Sequence, residues 1–253
     1  QSFNRFSCTR YINRLYRKKR KGPSGLILKL ESIVGTNDEF TAVPGLIEEI
    51  QTKAVMLEEV TLSLNPFRSS LWIHGPETQS ISHGIMEPML VLQKSILDLV
   101  SLVSRLLKMV PEEQEEADVP LEIRSLMTRF DSMAAFMEIF RAYREHEEKI
   151  FWLQKGHLSD GKEFVTFYAT PLDISPLMYE AVFEPFSSVI CTSATLAVNR
   201  SFNYWKERTG AALVPDDRMI QGIYDSPFNY RDQVLLRIPV EVPLPSNQDA
   251  WLE

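Results

Sequence analysis

Apolar side chains in the middle of the chain recur in alternating steps of four and three residues, and this limits the fold more than any other feature. Leu92, Ile96, Leu99, Val103, Leu106 and Val110 follow this rhythm, and Leu126, Phe130, Met133, Met137 and Phe140 repeat it. A strand turns successive side chains to opposite faces and cannot gather such a set. A helix of 3.6 residues per turn lines it up on one stripe, which needs a second helix to cover it. Upstream, from Pro44, the residues Leu46, Ile50, Ala54, Leu57, Val60 and Leu64 recur at four, four, three, three and four. Pro111 and the acidic run from Glu112 to Asp118 form a short solvated connector between the second and third patterns. Three long helices joined this way imply an elongated antiparallel bundle or hairpin.

Outside the helical region the pattern changes. Cys8, Ile12 and Leu15 fall at i, i+4 and i+7, and Gly22-Pro23 stops the pattern, so a helix is expected to end near Lys21. Between the first two long helices, Asn65-Pro66 breaks the chain before a β-like stretch, Leu71 to His74, closed by Gly75-Pro76. After Arg144 the apolar period drops to two. Ile150 to Gln154 and Glu163 to Ala169 flank Asp160-Gly161, which predicts a β-hairpin. An irregular entry from Thr170 to Pro176 leads into a short helix ending near Phe183, and Ser201 to Thr209 reads as a helix stopped by Gly210. Ser188 to Thr192 is a β-branched run without alternation, as in a strand buried on both faces of a parallel sheet, and Val234 to Ile238 is a second strand candidate.

The 253 residues, 44% hydrophobic and 24% charged, have ordinary globular composition, which excludes a disordered or collagen-like chain. The most apolar stretch, Pro88 to Val110, is broken by charged residues too often to span a bilayer, and no secretory signal is legible at the start. Beginning at Gln1 suggests an excised piece of something longer. Cys8 and Cys191 are too few and too far apart for a disulfide framework or a metal half-site, which suits a reducing, cytoplasmic compartment. The net charge of −7 is unevenly spread. Residues 1–30 hold nine Lys or Arg and no acid, while the other 223 carry 18 positive and 34 negative side chains. The densest cationic run is Arg17, Lys18, Lys19, Arg20 and Lys21. Two readings stand: a helix end whose charges answer the carbonyl dipole, or a contact to the phosphates of single-stranded or forked DNA.

Generic catalytic patterns are missing. There is no Gly-x-x-x-x-Gly-Lys phosphate loop, no Gly-x-Gly-x-x-Gly and no Gly-x-Ser-x-Gly, and His146-Glu147 lacks the second histidine of a zinc helix. His74, His83, His146 and His157 are isolated along the chain and read as surface or packing residues.

One segment is more specific. Val189-Ile190-Cys191-Thr192-Ser193-Ala194-Thr195-Leu196 resembles motif III of DinG-like and XPD-like superfamily 2 DNA helicases. The neighbours are similar to that family in the same order. They are Phe167 to Leu177 upstream, Ser201 to Trp205 and Arg208-Thr209-Gly210 downstream, and then Ser226-Pro227-Phe228-Asn229-Tyr230. Arg10 to Tyr16 resembles the helix that follows the family's Asp-Glu-Ala-His box. The likeness runs through residues 150–245, is weaker over 1–30, and is compositional over 40–150.

The resemblance implies an α/β fold in which a large all-helical insertion, the arch, interrupts a parallel-sheet, RecA-like motor domain. Residues 1–40 would belong to the first motor domain, 41–168 to the arch with its closing hairpin, 169–222 to the return into the motor with motif III, and 223–253 to the start of the second motor domain. Whether the hairpin belongs to arch or motor stays open. The intact enzyme would hydrolyse ATP with Mg²⁺ at sites outside this chain and translocate 5′ to 3′ on single-stranded DNA. The fragment alone is expected to be inactive. The four cysteines of the family's iron–sulfur cluster would precede this chain, and Cys8 and Cys191 match none of them. Thr192, Ser193 and Thr195 would couple nucleotide to DNA, since a hydroxyl donates and accepts at once; alternatively they only cap the next turn. A rival from another class is a non-catalytic helical module that binds a protein partner.

Overall fold

The four-three seams are covered as their spacing demands. The computed structural model describes residues 1–20, 22–64, 69–74, 79–225 and 227–237, and the chain packs as two units, Gln1–Asp173 and Ile174–Glu253. In the first unit a short strand β1 (Ser2–Asn4) leads to helices α1 (Arg5–Leu15) and α2 (Leu26–Val34), then to the long helix α3 (Glu39–Leu64). Strand β2 (Ser70–Trp72), long helices α4 (Gln79–Leu107) and α5 (Asp118–Arg141), and strands β3 (Lys149–His157) and β4 (Glu163–Pro171) follow. All six seam residues from Leu92 to Val110 are buried, as are the five from Leu126 to Phe140.

The α3 seam lies slightly off the line that apolar letters suggest. Ile50, Ala54 and Leu57 are buried, but Leu46 and Val60 are half-buried and Leu64 is exposed. The buried line is Val43, Ile47, Ile50, Ala54, Leu57 and Thr61, a strict four-three alternation. Thr61 fits inside because its hydroxyl donates to the Leu57 carbonyl at 2.7 Å, leaving no polar hydrogen unpaired. The helix also begins before Pro44, at Glu39, whose amide donates to Asn37 Oδ1 at 2.9 Å.

Cross-contacts fix the direction of the helices. Arg105 of α4 pairs with Glu39 at the start of α3, Lys53 Nζ donates to Ser95 Oγ at 2.7 Å, and Gly84 meets Leu64 at the far end, so α3 and α4 run antiparallel. Between α4 and α5, the buried Gln93 is fully engaged. Its amide donates to the Ala134 carbonyl at 3.0 Å and its oxygen accepts from Arg141 at 2.9 Å. Such satisfied polar groups inside an apolar seam fix the register of the packing.

The opening segment differs from its expected form. Helix α1 stops at Leu15, with Tyr16 capping it by a 2.8 Å bond to Ile12, so the basic run lies beyond the helix rather than at its last turn. Helix α2, not evident from spacing, buries Leu26, Ile27 and Leu30. Gly25 lets the chain cross the end of α1: its φ is +139°, and a Cβ there would meet the backbone of Leu15 and Tyr16.

The expected hairpin is present, with Lys149 opposite Pro171 and His157 opposite Glu163, and Gly161 takes φ +81° in the turn. It anchors a four-stranded sheet ordered β1-β4-β3-β2, every neighbour antiparallel. One face, with Phe3, Phe151, Leu153, Val165, Phe167 and Ala169, is buried, and Phe140 of α5 packs edge-on to Phe151 and Phe167 at 5.6 and 5.5 Å. Helix and strand thus share one core, and the fold is a mixed α and β structure. Among the described residues there is no parallel, RecA-like sheet, contrary to the expectation from the resemblance. No helix among them is long and apolar enough to cross a membrane.

In the second unit, α6 (Ser175–Met178) continues into a wider turn at Tyr179–Phe183, and α7 (Asn203–Thr209) ends at Gly210, as expected; α8 (Tyr230–Gln233) follows. The two expected strands do not form. Residues 188–192 and 234–237 lack regular structure, Ile190 is 89% exposed, and Cys191 is exposed rather than buried; Ile238 and the residues after it lie outside the described set. The physical reason is that a strand buried on both faces exists only between neighbouring strands, and the described residues supply none beside it.

Candidate hydroxyl loop and nucleic-acid interface

Thr192, Ser193 and Thr195 lie on an exposed loop. The Ser193 and Thr195 hydroxyls are 2.8 Å apart, and the Thr195 amide donates to Ser193 Oγ at 3.1 Å. This is a local serine turn, so two of the three hydroxyls are already brought together by the loop's own bonds. Just beyond, Val198 and Ser201 exchange backbone bonds of 2.9 and 3.0 Å across Asn199 and Arg200, both with positive φ. The hydroxyl pair is thus bounded on its C-terminal side by a tight turn.

The described part of the basic run, Arg17 to Arg20, enters a pinned turn. Arg17 and Ser24 exchange backbone bonds of 2.7 and 2.9 Å, and the Gly22 amide donates to the Lys19 carbonyl at 3.1 Å. Arg17, Lys18, Lys19 and Arg20 are all exposed, and among the described residues none of the four is ion-paired; Lys21 lies outside the described set. Arg14, on the preceding helix, differs in being paired to Glu122. Four adjacent unpaired cations held on a short closed loop present a compact positive charge to solvent.

Spacing did not single out the outer face of the sheet. Trp72, Trp152, Tyr168 and Ser2 lie in one cross-strand row. Trp152 stacks on Tyr168 at 4.7 Å with 6° between rings, and Trp72 on Trp152 at 6.2 Å and 29°. The signal was present as the adjacent aromatic pairs Phe151-Trp152 and Phe167-Tyr168, which put one ring on each face, but register decides which rings meet. Trp72, on the edge strand, also borders a cleft of about 900 Å³ with Tyr143, Arg144, Lys149, Ile150 and His74. Beside it, Glu148 accepts from Lys149 and His146, and the bond from Lys149 first, then that from its own backbone amide and that from His146, hold its carboxyl down at about 2.

Burial pushes the Cys8 thiol up to about 12, the state of an inert core residue. Among the described residues, no three or more His, Cys, Asp or Glu side chains group to hold a metal ion.

No family model matches the chain. Over 100 residues, 38% of its length, it is 37% identical to the 3'-5' exonuclease DinG of Bacillus subtilis (strain 168), and the match spans 10% of that protein. The chain is therefore DinG-related over that stretch.

Proposed function

We propose that the chain is the central part of an ATP-dependent DNA helicase of the DinG kind, which couples ATP hydrolysis to 5′-to-3′ movement along single-stranded DNA. The observation that carries this reading is the 37% identity over 100 residues to DinG. The ordered series from Phe167 through Thr192-Ser193-Ala194-Thr195 to Tyr230 adds to it. In this reading residues 41–168 are the arch and 169–222 return to the motor domain. Thr192, Ser193 and Thr195 link the nucleotide side to the DNA side, and the turn from Arg17 to Lys21 meets phosphates. ATP and Mg²⁺ bind outside the chain, where Mg²⁺ would neutralise charge on the transferred phosphate.

The same reading accounts for the second unit. Ile190, Ile220, Leu235 and Leu236 lie open to solvent, and apolar extended segments of this kind take up strand partners where a sheet is available. Motor-domain strands contributed by the rest of the protein would supply that sheet.

The exonuclease activity in the relative's name supports a second reading, in which the protein carrying this segment degrades DNA from the 3′ end. One experiment separates the two. The protein containing this segment is given a duplex with a 5′ single-stranded overhang, and both strands are followed with and without ATP. Intact displaced strands that appear only with ATP support the helicase. Shortened strands without displacement support the exonuclease alone. The 253-residue chain by itself is expected to show no DNA-stimulated ATP hydrolysis, and turnover by it would contradict the placement of the ATP site.

A further inference from the structure

We propose that the β2 edge of the sheet, where among the described residues the aromatic row ends at Trp72, is a base-stacking site for a single-stranded nucleic acid. The inference rests on the reading that the protein acts on DNA, and adds a site that the basic turn and the hydroxyl loop do not include.

Three observations converge there. The first is the row itself. Tyr168, Trp152 and Trp72 are stacked in that order from an inner strand to the edge strand. Tyr168 and Trp152 are half-buried, whereas Trp72 is 57% exposed. A column of rings that ends on an exposed indole offers the next ring a face already oriented, so a base adds to it without the protein first having to order a side chain.

The second is the adjacent row. Two residues along the strands, Ser70, Gln154, Thr166 and Asn4 stand in register on the same face. These are uncharged donors and acceptors, and neither row holds a carboxylate that would repel a phosphate backbone. Ser70 and Gln154, nearest the β2 edge, are exposed.

The third is the cleft beyond Trp72. Among its lining side chains Arg144 and Lys149 outnumber Glu147, and the imidazoles of His74 and His146 stand beside them. Glu148 already engages Lys149, so the charge available to a phosphate falls mainly on Arg144. Its guanidinium lies 5.5 Å from the Tyr143 ring centre and donates to the Tyr143 hydroxyl at 3.1 Å, which orients it. A cleft of about 900 Å³ is ample for one nucleotide. Aromatic surface with one oriented cation suits a stacked base and its phosphate, and the sequence tolerance of stacking suits a strand bound without base preference.

The test uses the 253-residue chain and two fluorescent strands of equal length, oligothymidylate and its abasic counterpart, in equilibrium titrations. Trp72→Ala is expected to weaken oligothymidylate binding about 5- to 150-fold, the effect of losing one stacked base, while leaving the abasic strand unaffected. Trp72→Phe is expected to keep most of the affinity. Equal affinity of wild type and Trp72→Ala for oligothymidylate overturns the site, as does an equal loss on both strands. If replacing Arg17 to Lys21 with Gln abolishes binding while Trp72→Ala leaves it unchanged, this site falls and the DNA reading stands. If the wild-type chain binds neither strand, both fall. Should Trp72→Ala lower the melting midpoint, Arg144→Gln decides: weaker binding of both strands supports the site, and unchanged binding overturns it.

Discussion

At the scale of single residues, burial separates groups that look alike in sequence. Cys8 is fully buried and its thiol is held neutral up to about 12, while Cys191 is exposed. An alkylating reagent at pH 8 should therefore label Cys191 rapidly and Cys8 only after denaturation, counted by mass spectrometry. Two fast labels on the folded chain would contradict the packing of α1. Gly210 is equally specific. Its φ is +76°, and a Cβ would run into the Ser175 carbonyl, so Gly210→Ala should cost about 2 kcal/mol or more in the second unit. Hydrogen exchange at the amides of Lys206 and Leu213 would report it, and unchanged protection would mean that α6 and α7 do not pack as described. The helical stop at Gly210 was legible in sequence, but the reason that only glycine fits was not, because the Ser175 carbonyl comes from 35 residues away.

At the scale of elements, the seams of α4 and α5 were legible because their buried positions are all apolar, so spacing alone finds them. Helix α3 was only partly legible because apolar letters offer two lines at its start, Leu46 beside the buried Val43 and Ile47, and because at its end the buried Thr61 satisfies itself through Leu57 and no apolar letter marks it. Composition alone suggests strands at 188–192 and 234–238, but strand formation depends on neighbours, and the described residues provide none. The hydroxyl motif was legible as a sequence, whereas the aromatic row was not, because it depends on the register of three strands. Leu99 tests the seam directly. Leu99→Asp places an unpaired carboxylate at a fully buried position and should destabilise the bundle by about 3 kcal/mol or more. A denaturant midpoint that does not move would place Leu99 on a solvent face. The basic turn belongs to this scale too. With Arg17 to Lys21 replaced by Gln, the log–log salt slope for single-stranded DNA binding should flatten by about 0.7 for each phosphate the turn no longer neutralises. Parallel lines for wild type and variant would leave the turn as solvated charge.

At the scale of the whole molecule, the two units differ in self-sufficiency. The first buries a continuous core shared by helices and sheet. Among the described residues of the second, Phe183 and Ala211 are the buried apolar side chains, and its hydroxyl loop is exposed. In the helicase reading proposed above, motor-domain strands elsewhere in the protein would complete the second unit, and Ser193 and Thr195 would lie between nucleotide and DNA. A coupling role has a distinct signature, because a hydroxyl that relays between sites without doing bond chemistry affects work more than hydrolysis. The most direct measurement is the ratio of strands unwound to ATP hydrolysed by the protein that contains this segment, for wild type, Ser193→Ala and Thr195→Ala. The expected result is a ratio that falls several-fold in both variants, with DNA-stimulated hydrolysis largely kept. Loss of unwinding and hydrolysis in equal proportion, or no loss of either, would contradict the coupling role.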